Sequence, residues 1–187
     1  GTVIAKLNLN NHSIILGEFI VQLVEFNKAS EADVKTFLKH CVQIEGWAEH
    51  IVAQRPYTSV TQITEQAVKA ANAWTWDEIK NALDNHPRIG EKKAQAELSC
   101  LEQQFSDREQ SEISADEETQ FALLKGNVAY EKKYGYLFLI KASGLSSEDV
   151  LQALQYRLLN DPETEKRIVH HQLAEIALLR LKQELSA

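Results

Sequence analysis

Apolar residues recur at three- and four-residue intervals along most of this chain, and the recurrence restarts after each short polar break, as in successive amphipathic helices. The starts carry a second mark. A Ser or Thr followed three residues later by an acid or Gln can form a reciprocal capping box. The pattern stands at Ser30/Asp33, Ser59/Gln62, Thr75/Glu78, Ser114/Glu117 and Ser146/Asp149. These predict helices near 31–44, 59–73, 76–84, 115–133 and 147–160. A last helix opens with Asp161 as N-cap and Pro162 at its first position, where the missing N–H of proline is harmless, and runs to about Leu185. An N-terminal helix is placed near 17–26. The run Tyr136-Leu137-Phe138-Leu139-Ile140 reads as a strand, too short and isolated to imply a sheet. Residues 1–14 carry no strong periodicity and are expected to be a loosely ordered or tag-derived extension. No internal repeat or low-complexity linker divides the rest. The expectation is therefore all-α: a single-domain helical bundle over 1–187, with about seven to nine helices and one short extended segment.

Composition supports that class and narrows the partners. With 187 residues, 44% of them hydrophobic and 25% charged, the chain can bury one proper core. Seven Gly and three Pro are too few for the frequent turns of a β-sandwich or barrel. A formal charge of −7 offers no basic stripe for nucleic acid or an anionic membrane surface, so neither is expected as a partner. Cys41 and Cys100 lack the number for a disulfide framework and the spacing for a zinc site, and are expected to be buried thiols. No run approaches the ~20 apolar residues of a membrane span, the N-terminus lacks a basic flank before an apolar core, and the C-terminal ELSA is not a peroxisomal address. The expected location is the cytoplasm.

Two motifs could carry chemistry. In His86-Pro87-Arg88-Ile89-Gly90 the proline keeps its predecessor out of the helical region, so His86 is expected at the exit of the helix near 76–84. There it could act as an acid or base near neutral pH, or interact with that helix's last carbonyls. In Ser106-Asp107-Arg108-Glu109-Gln110, Ser106 and Glu109 form another capping box, and a helix start also offers unpaired N–H groups to an oxygen-rich ligand. A third piece lies on the last helix. Val169, Leu173 and Ile176 form an apolar stripe, and Arg180 follows four residues beyond Ile176 on the same stripe. A buried cation requires a partner, so Arg180 is either half of an ion pair or a clamp for an anionic ligand. Arg157, beside the Val150/Leu151/Leu154/Leu158 stripe, is the rival for the clamp.

The order of these motifs, HPRIG, then SDREQ, then GNVAYEKKYGYLFLIKASG, YRLLNDPETE and LLRL, resembles the cofactor-independent decarboxylases that act on 2-oxo-4-hydroxy-4-carboxy-5-ureidoimidazoline (OHCU). Trp47 and the triplet Arg55-Pro56-Tyr57 fit as well, so the resemblance covers about residues 15–185. It implies an all-helical enzyme, commonly a homodimer, that completes the route from urate to (S)-allantoin without metal or cofactor. It also implies His86, Glu109 and Arg180 as catalytic residues. Ligand contacts are implied from Pro87, from Ser106, Asp107, Arg108 and Gln110, and from backbone groups of Phe138, Leu139, Ile140, Lys141 and Ala142. The chain departs from the family's pattern at Leu137, where proline is frequent, at Tyr134 and Tyr136, which replace phenylalanines, and at Glu112, a frequent glycine. A rival Glu-Gln pair, Glu102-Gln103, follows Ser99; Ser106 is preferred because its pair falls in the family's order.

Two other classes compete. In a non-catalytic helical binding or interaction module, HPRIG would be a helix stop and SDREQ a cap. A metal-dependent hydrolase would use His86, His170 and His171, but adjacent histidines on a helix point about 100° apart and chelate poorly.

Overall fold

The computed structural model describes residues 21–84 and 115–186. The eight helices among them are α1 (Leu23–Lys28), α2 (Glu31–Cys41), α3 (Glu45–Ala53), α4 (Val60–Asn72), α5 (Trp76–Asp84), α6 (Ala115–Tyr134), α7 (Ser147–Arg157) and α8 (Pro162–Glu184). The all-α expectation holds. The predicted extension 1–14 and the Ser114 cap lie outside the described residues.

Helix starts follow the caps. Thr75 and Glu78 exchange both bonds of the box, Thr75 N–H to Glu78 Oε1 at 3.1 Å and Glu78 N–H to Thr75 Oγ1 at 3.2 Å. Ser146 and Asp149 do the same at the start of α7. Ser30 and Ser59 each accept from the backbone N–H three residues on, while the Gln62 side chain accepts from Thr58 N–H instead of closing its box. Asp161 accepts from Thr164 N–H at 2.9 Å, with Pro162 as the first residue of α8.

Three sequence expectations need correction. The helix expected over 31–44 ends at Cys41, and a separate helix, α3, covers Glu45–Ala53. Its N-cap residue, Ile44, offers no side-chain bond, so no cap marks it; burial of Trp47, Ala48, Ile51 and Val52 along one face holds it instead. The helix expected to reach residue 160 stops at Arg157. The strand expected at 136–140 pairs with no other strand among the described residues. Tyr136, Leu137, Phe138, Leu139 and Ile140 are all buried, so the segment lacks the alternation of a one-sided strand and runs as an extended, non-ladder connection. The small pairing that does occur is parallel, β1 (Val21–Gln22) beside β2 (Leu185–Ser186).

The chain groups into two compact units. Among the described residues, one holds 115–169 and the other holds 21–84 with 170–186. In the first, α6 and α7 approach closely at Gly126: a Cβ there would lie 2.5 Å from Leu154 Cδ2, and Leu154 is fully buried, so only glycine permits this spacing. The core of this unit holds Tyr130, Phe138, Leu139, Leu154 and Val169.

In the second unit α3 packs on α2 and α4, with Trp47 Nε1 donating to the Ala67 carbonyl at 3.0 Å. The triplet Arg55-Pro56-Tyr57 is structural here. Arg55 Nη1 donates to the carbonyls of Phe26 and Ala29 at the end of α1, where cations are favoured, and Asn27 and Tyr57 exchange side-chain-to-backbone bonds at 2.8 and 2.9 Å. Cys41 is buried and free, its thiol pushed up to about 12 chiefly by burial, which makes it inert.

Candidate functional site

The proposed proton donor and the second motif, His86, Pro87, Ser106, Asp107, Arg108, Glu109 and Gln110, lie outside the described residues, as do Glu112 and the rival Glu102-Gln103 pair. Of the helix leading to them, α5 covers the expected 76–84. The remaining candidates, Phe138–Ala142 and Arg180, are described in different units, and each is built up within its own.

In the unit formed by residues 115–169, the extended run after α6 is anchored by a buried charge cluster. Arg157, at the end of α7, donates from Nε and Nη2 to Glu165 Oε1 at 2.8 and 2.5 Å, and from Nη1 to the Leu139 carbonyl at 2.6 Å. Arg157 is 5% exposed and Glu165 not at all. Tyr130 O–H also donates to Glu165 Oε1, at 2.5 Å, and Asn160 Nδ2 donates to Oε2 at 3.1 Å. Desolvation raises the Tyr130 phenol strongly, so it stays a neutral donor. The guanidinium lies over the Phe138 ring, 4.5 Å from its centroid, and Tyr130 meets Phe138 edge-on at 5.2 Å. A buried ion pair of the kind that stripe reasoning left open for Arg180 is thus found at Arg157, whose Nε, Nη1 and Nη2 are engaged by Glu165 and the Leu139 carbonyl.

Glu165 was overlooked in the sequence, although a signal existed. It lies four residues before Val169 on the stripe that continues through Leu173 and Ile176 to Arg180, so an opposite charge marks each end of the same buried face. Tyr130 gave no such signal beyond its aromatic character.

In the other unit, Leu173 and Ile176 of the expected stripe are buried, as is Val169 in the first, and Arg180 beyond them is half-buried. Its Nη1 donates to the Cys41 carbonyl at 3.4 Å, a long contact. Burial lowers its pKa, opposed by the nearby Cys41 and Glu184. Glu184 is itself raised by burial, against the pull of His40 and Arg180.

Of the three histidines of the metal rival, His86 lies outside the described residues and the other two are otherwise engaged. His170 Nε2 bonds the Ala71 carbonyl at 2.7 Å and stacks on Trp74, whereas His171 pairs with Glu175 at 3.0 Å on the exposed side of α8. Among the described residues no three His, Cys, Asp or Glu converge as metal ligands. A cavity of about 250 Å³ in this unit is lined by Trp47, Ala71, Asn72, His171 and Leu178 among others, and Arg180 is not part of its lining.

Comparison with known proteins gives these pieces their context. A family model described as OHCU decarboxylase matches residues 27–182. The uric acid degradation bifunctional protein of Bacillus sp. (strain TB-90) is 24% identical over 165 residues, which span 88% of this chain and 32% of that protein. The 2-oxo-4-hydroxy-4-carboxy-5-ureidoimidazoline decarboxylase of Haloferax volcanii is 24% identical over 140 residues, 75% of this chain and 81% of the relative. The chain spans from 26% to 44% of the length of the first curated relatives it matches, all of them uric acid degradation bifunctional proteins. A crystal structure of an OHCU decarboxylase in the presence of (S)-allantoin shares the fold, with a TM-score of 0.57 at 23% identity over 78% of this chain and 94% of the other. Because the family match takes in most of the 187 residues, from within α1 to within α8, the chain belongs to the OHCU decarboxylase family.

Proposed function

We propose that this chain is a carboxy-lyase that converts OHCU to (S)-allantoin in urate catabolism. The family match over residues 27–182 carries this reading, and the relatives named for uric acid degradation and for OHCU decarboxylation support it. The proposal extends to action without a cofactor or metal, in the cytoplasm, as a homodimer. No helix among the described residues is long and apolar enough to cross a membrane.

The chemistry asks for a small set of groups. Loss of CO2 from a carbon beside a C=N bond leaves an electron pair that delocalises into the imidazoline ring, so the substrate is its own electron sink. The protein must then hold one face of the ring and place one proton on the adjacent ureido-bearing carbon, while the hydroxyl on the carbon that lost CO2 gives up its proton and becomes the ring carbonyl of allantoin. In this proposal His86 delivers that proton, and Glu109 accepts hydrogen bonds from the hydroxyl or ureido N–H groups to fix the reactive rotamer. Arg180 orients the anion without gripping the departing carboxylate, since equal stabilisation of ground and transition state leaves the chemical step no faster.

The reading is tested on freshly generated OHCU, whose disappearance is followed with and without the purified chain, before and after exhaustive treatment with a chelator. Acceleration that survives chelation is the expected result. No acceleration overturns the decarboxylase reading, and acceleration lost with the metal overturns metal independence.

The clamp has its own test. Arg180→Lys keeps the charge but loses the bidentate fork. Charge-assisted hydrogen bonds contribute ~1.5–3 kcal/mol, so the folded variant is expected to bind (S)-allantoin ~10- to 100-fold more weakly in a calorimetric titration. Unchanged affinity would remove Arg180 from the site.

A further inference from the structure

The Arg157 cluster does more than neutralise a buried charge. An ion pair with Glu165 would use only Nε and Nη2, yet the third donor, Nη1, reaches the Leu139 carbonyl at 2.6 Å, and the guanidinium plane covers Phe138. Leu139 is wholly buried, and no strand ladder holds it among the described residues, so this side chain fixes a peptide group that secondary structure does not. Peptide planarity extends the effect by one residue. In a trans unit the carbonyl of Leu139 and the N–H of Ile140 point in opposite directions, so turning the carbonyl to Arg157 sends the Ile140 N–H the other way. The cluster is itself locked: Glu165 Oε1 accepts from Arg157 and Tyr130, Oε2 accepts from Asn160, and Tyr130 abuts Phe138.

We propose that Arg157 is a positioning residue for the reaction: held by Glu165 and Tyr130, it fixes the Leu139 carbonyl and thereby the course on which Phe138–Ala142 presents its backbone to the substrate. The inference rests on the decarboxylase reading and on that segment as a ligand contact. It assigns Arg157, Glu165 and Tyr130 a role at one remove from the chemistry. Lysine at 157 could hold either Glu165 or the Leu139 carbonyl but not both with the Phe138 stack, whereas Tyr130→Phe keeps the ion pair and the ring and removes the bond to Glu165 together with a long contact, 3.5 Å, from Arg157 Nη2.

The test compares wild type, Arg157→Lys and Tyr130→Phe on OHCU, with kcat and KM normalised to the folded fraction by circular dichroism. The expected result is a KM raised ~10-fold in Arg157→Lys and ~3-fold in Tyr130→Phe, each larger than any fall in normalised kcat. A purely structural cluster would lower the folded fraction and leave KM at the wild-type value, which would overturn the proposal. Should Arg157→Lys not fold, the KM of Tyr130→Phe decides alone. Wild type that fails to accelerate OHCU loss brings down the decarboxylase reading and this inference with it; active wild type with unmoved KM in the folded variants brings down only the positioning role.

Discussion

His86→Ala is expected to lower turnover of OHCU by ~10²–10⁴-fold, the usual cost of removing a general acid or base, while far-UV circular dichroism and Tm stay at wild-type values. The argument is chemical. Once CO2 has left, the carbanion is stabilised by the ring without help, and the step the protein must still perform is delivery of one proton to one face. Imidazole is the side chain whose ordinary pKa, ~6.5, allows both loading and release of that proton near neutral pH. A variant turning over near the wild-type rate would contradict the assignment. A variant inactive because it has unfolded would show instead that the imidazole serves the helix end before it.

Glu165→Ala is expected to be the most destabilising substitution in the described core, by ~3–5 kcal/mol, because it strands the Arg157 charge without its carboxylate. At ~2–4 °C per kcal/mol for a chain of this size, Tm falls by roughly 10 °C or more. Magnitudes separate this from loss of one hydrogen bond, which would cost only ~0.5–1.5 kcal/mol. The paired replacement Arg157→Met with Glu165→Leu removes both charges and is expected to recover most of the loss, since apolar groups of similar volume replace a buried ion pair at little net cost. Thermal melts of the single and double variants check both statements. A single-variant loss below ~1 kcal/mol would mean that water reaches the pair.

What the sequence made legible was what is local. Ser30, Ser59, Thr75, Ser146 and Asp161 each announce a helix because a cap needs only the residue three positions on, and each starts a helix in the structure. α3 escaped for the complementary reason: Ile44 supplies no cap, and the helix depends on packing of Trp47 and Ile51 against elements distant in sequence. The buried segment at Leu137–Ile140 reads as a strand because a continuous apolar run fits either a central strand or a buried connection, and what distinguishes them is the partner of the Leu139 carbonyl, the guanidinium of Arg157, 18 residues away. For the candidate site, the order of short motifs from HPRIG to LLRL was enough to suggest the family that the match over residues 27–182 establishes. The charge partner was harder to read. Arg180 stood out on its stripe, but Glu165 at the opposite end looked like one more acid in a helix's first turn, where carboxylates are common.

The central claim, that this chain directs decarboxylation of OHCU to one face, is tested most directly by chiral analysis of the allantoin formed from fresh OHCU. Substrate loss alone is a poor guide, because OHCU is expected to decay unaided, and decay in buffer has no reason to favour either enantiomer. With the chain present, (S)-allantoin in large excess is the result this account predicts. Racemic allantoin formed at the rate of the buffer control would contradict it.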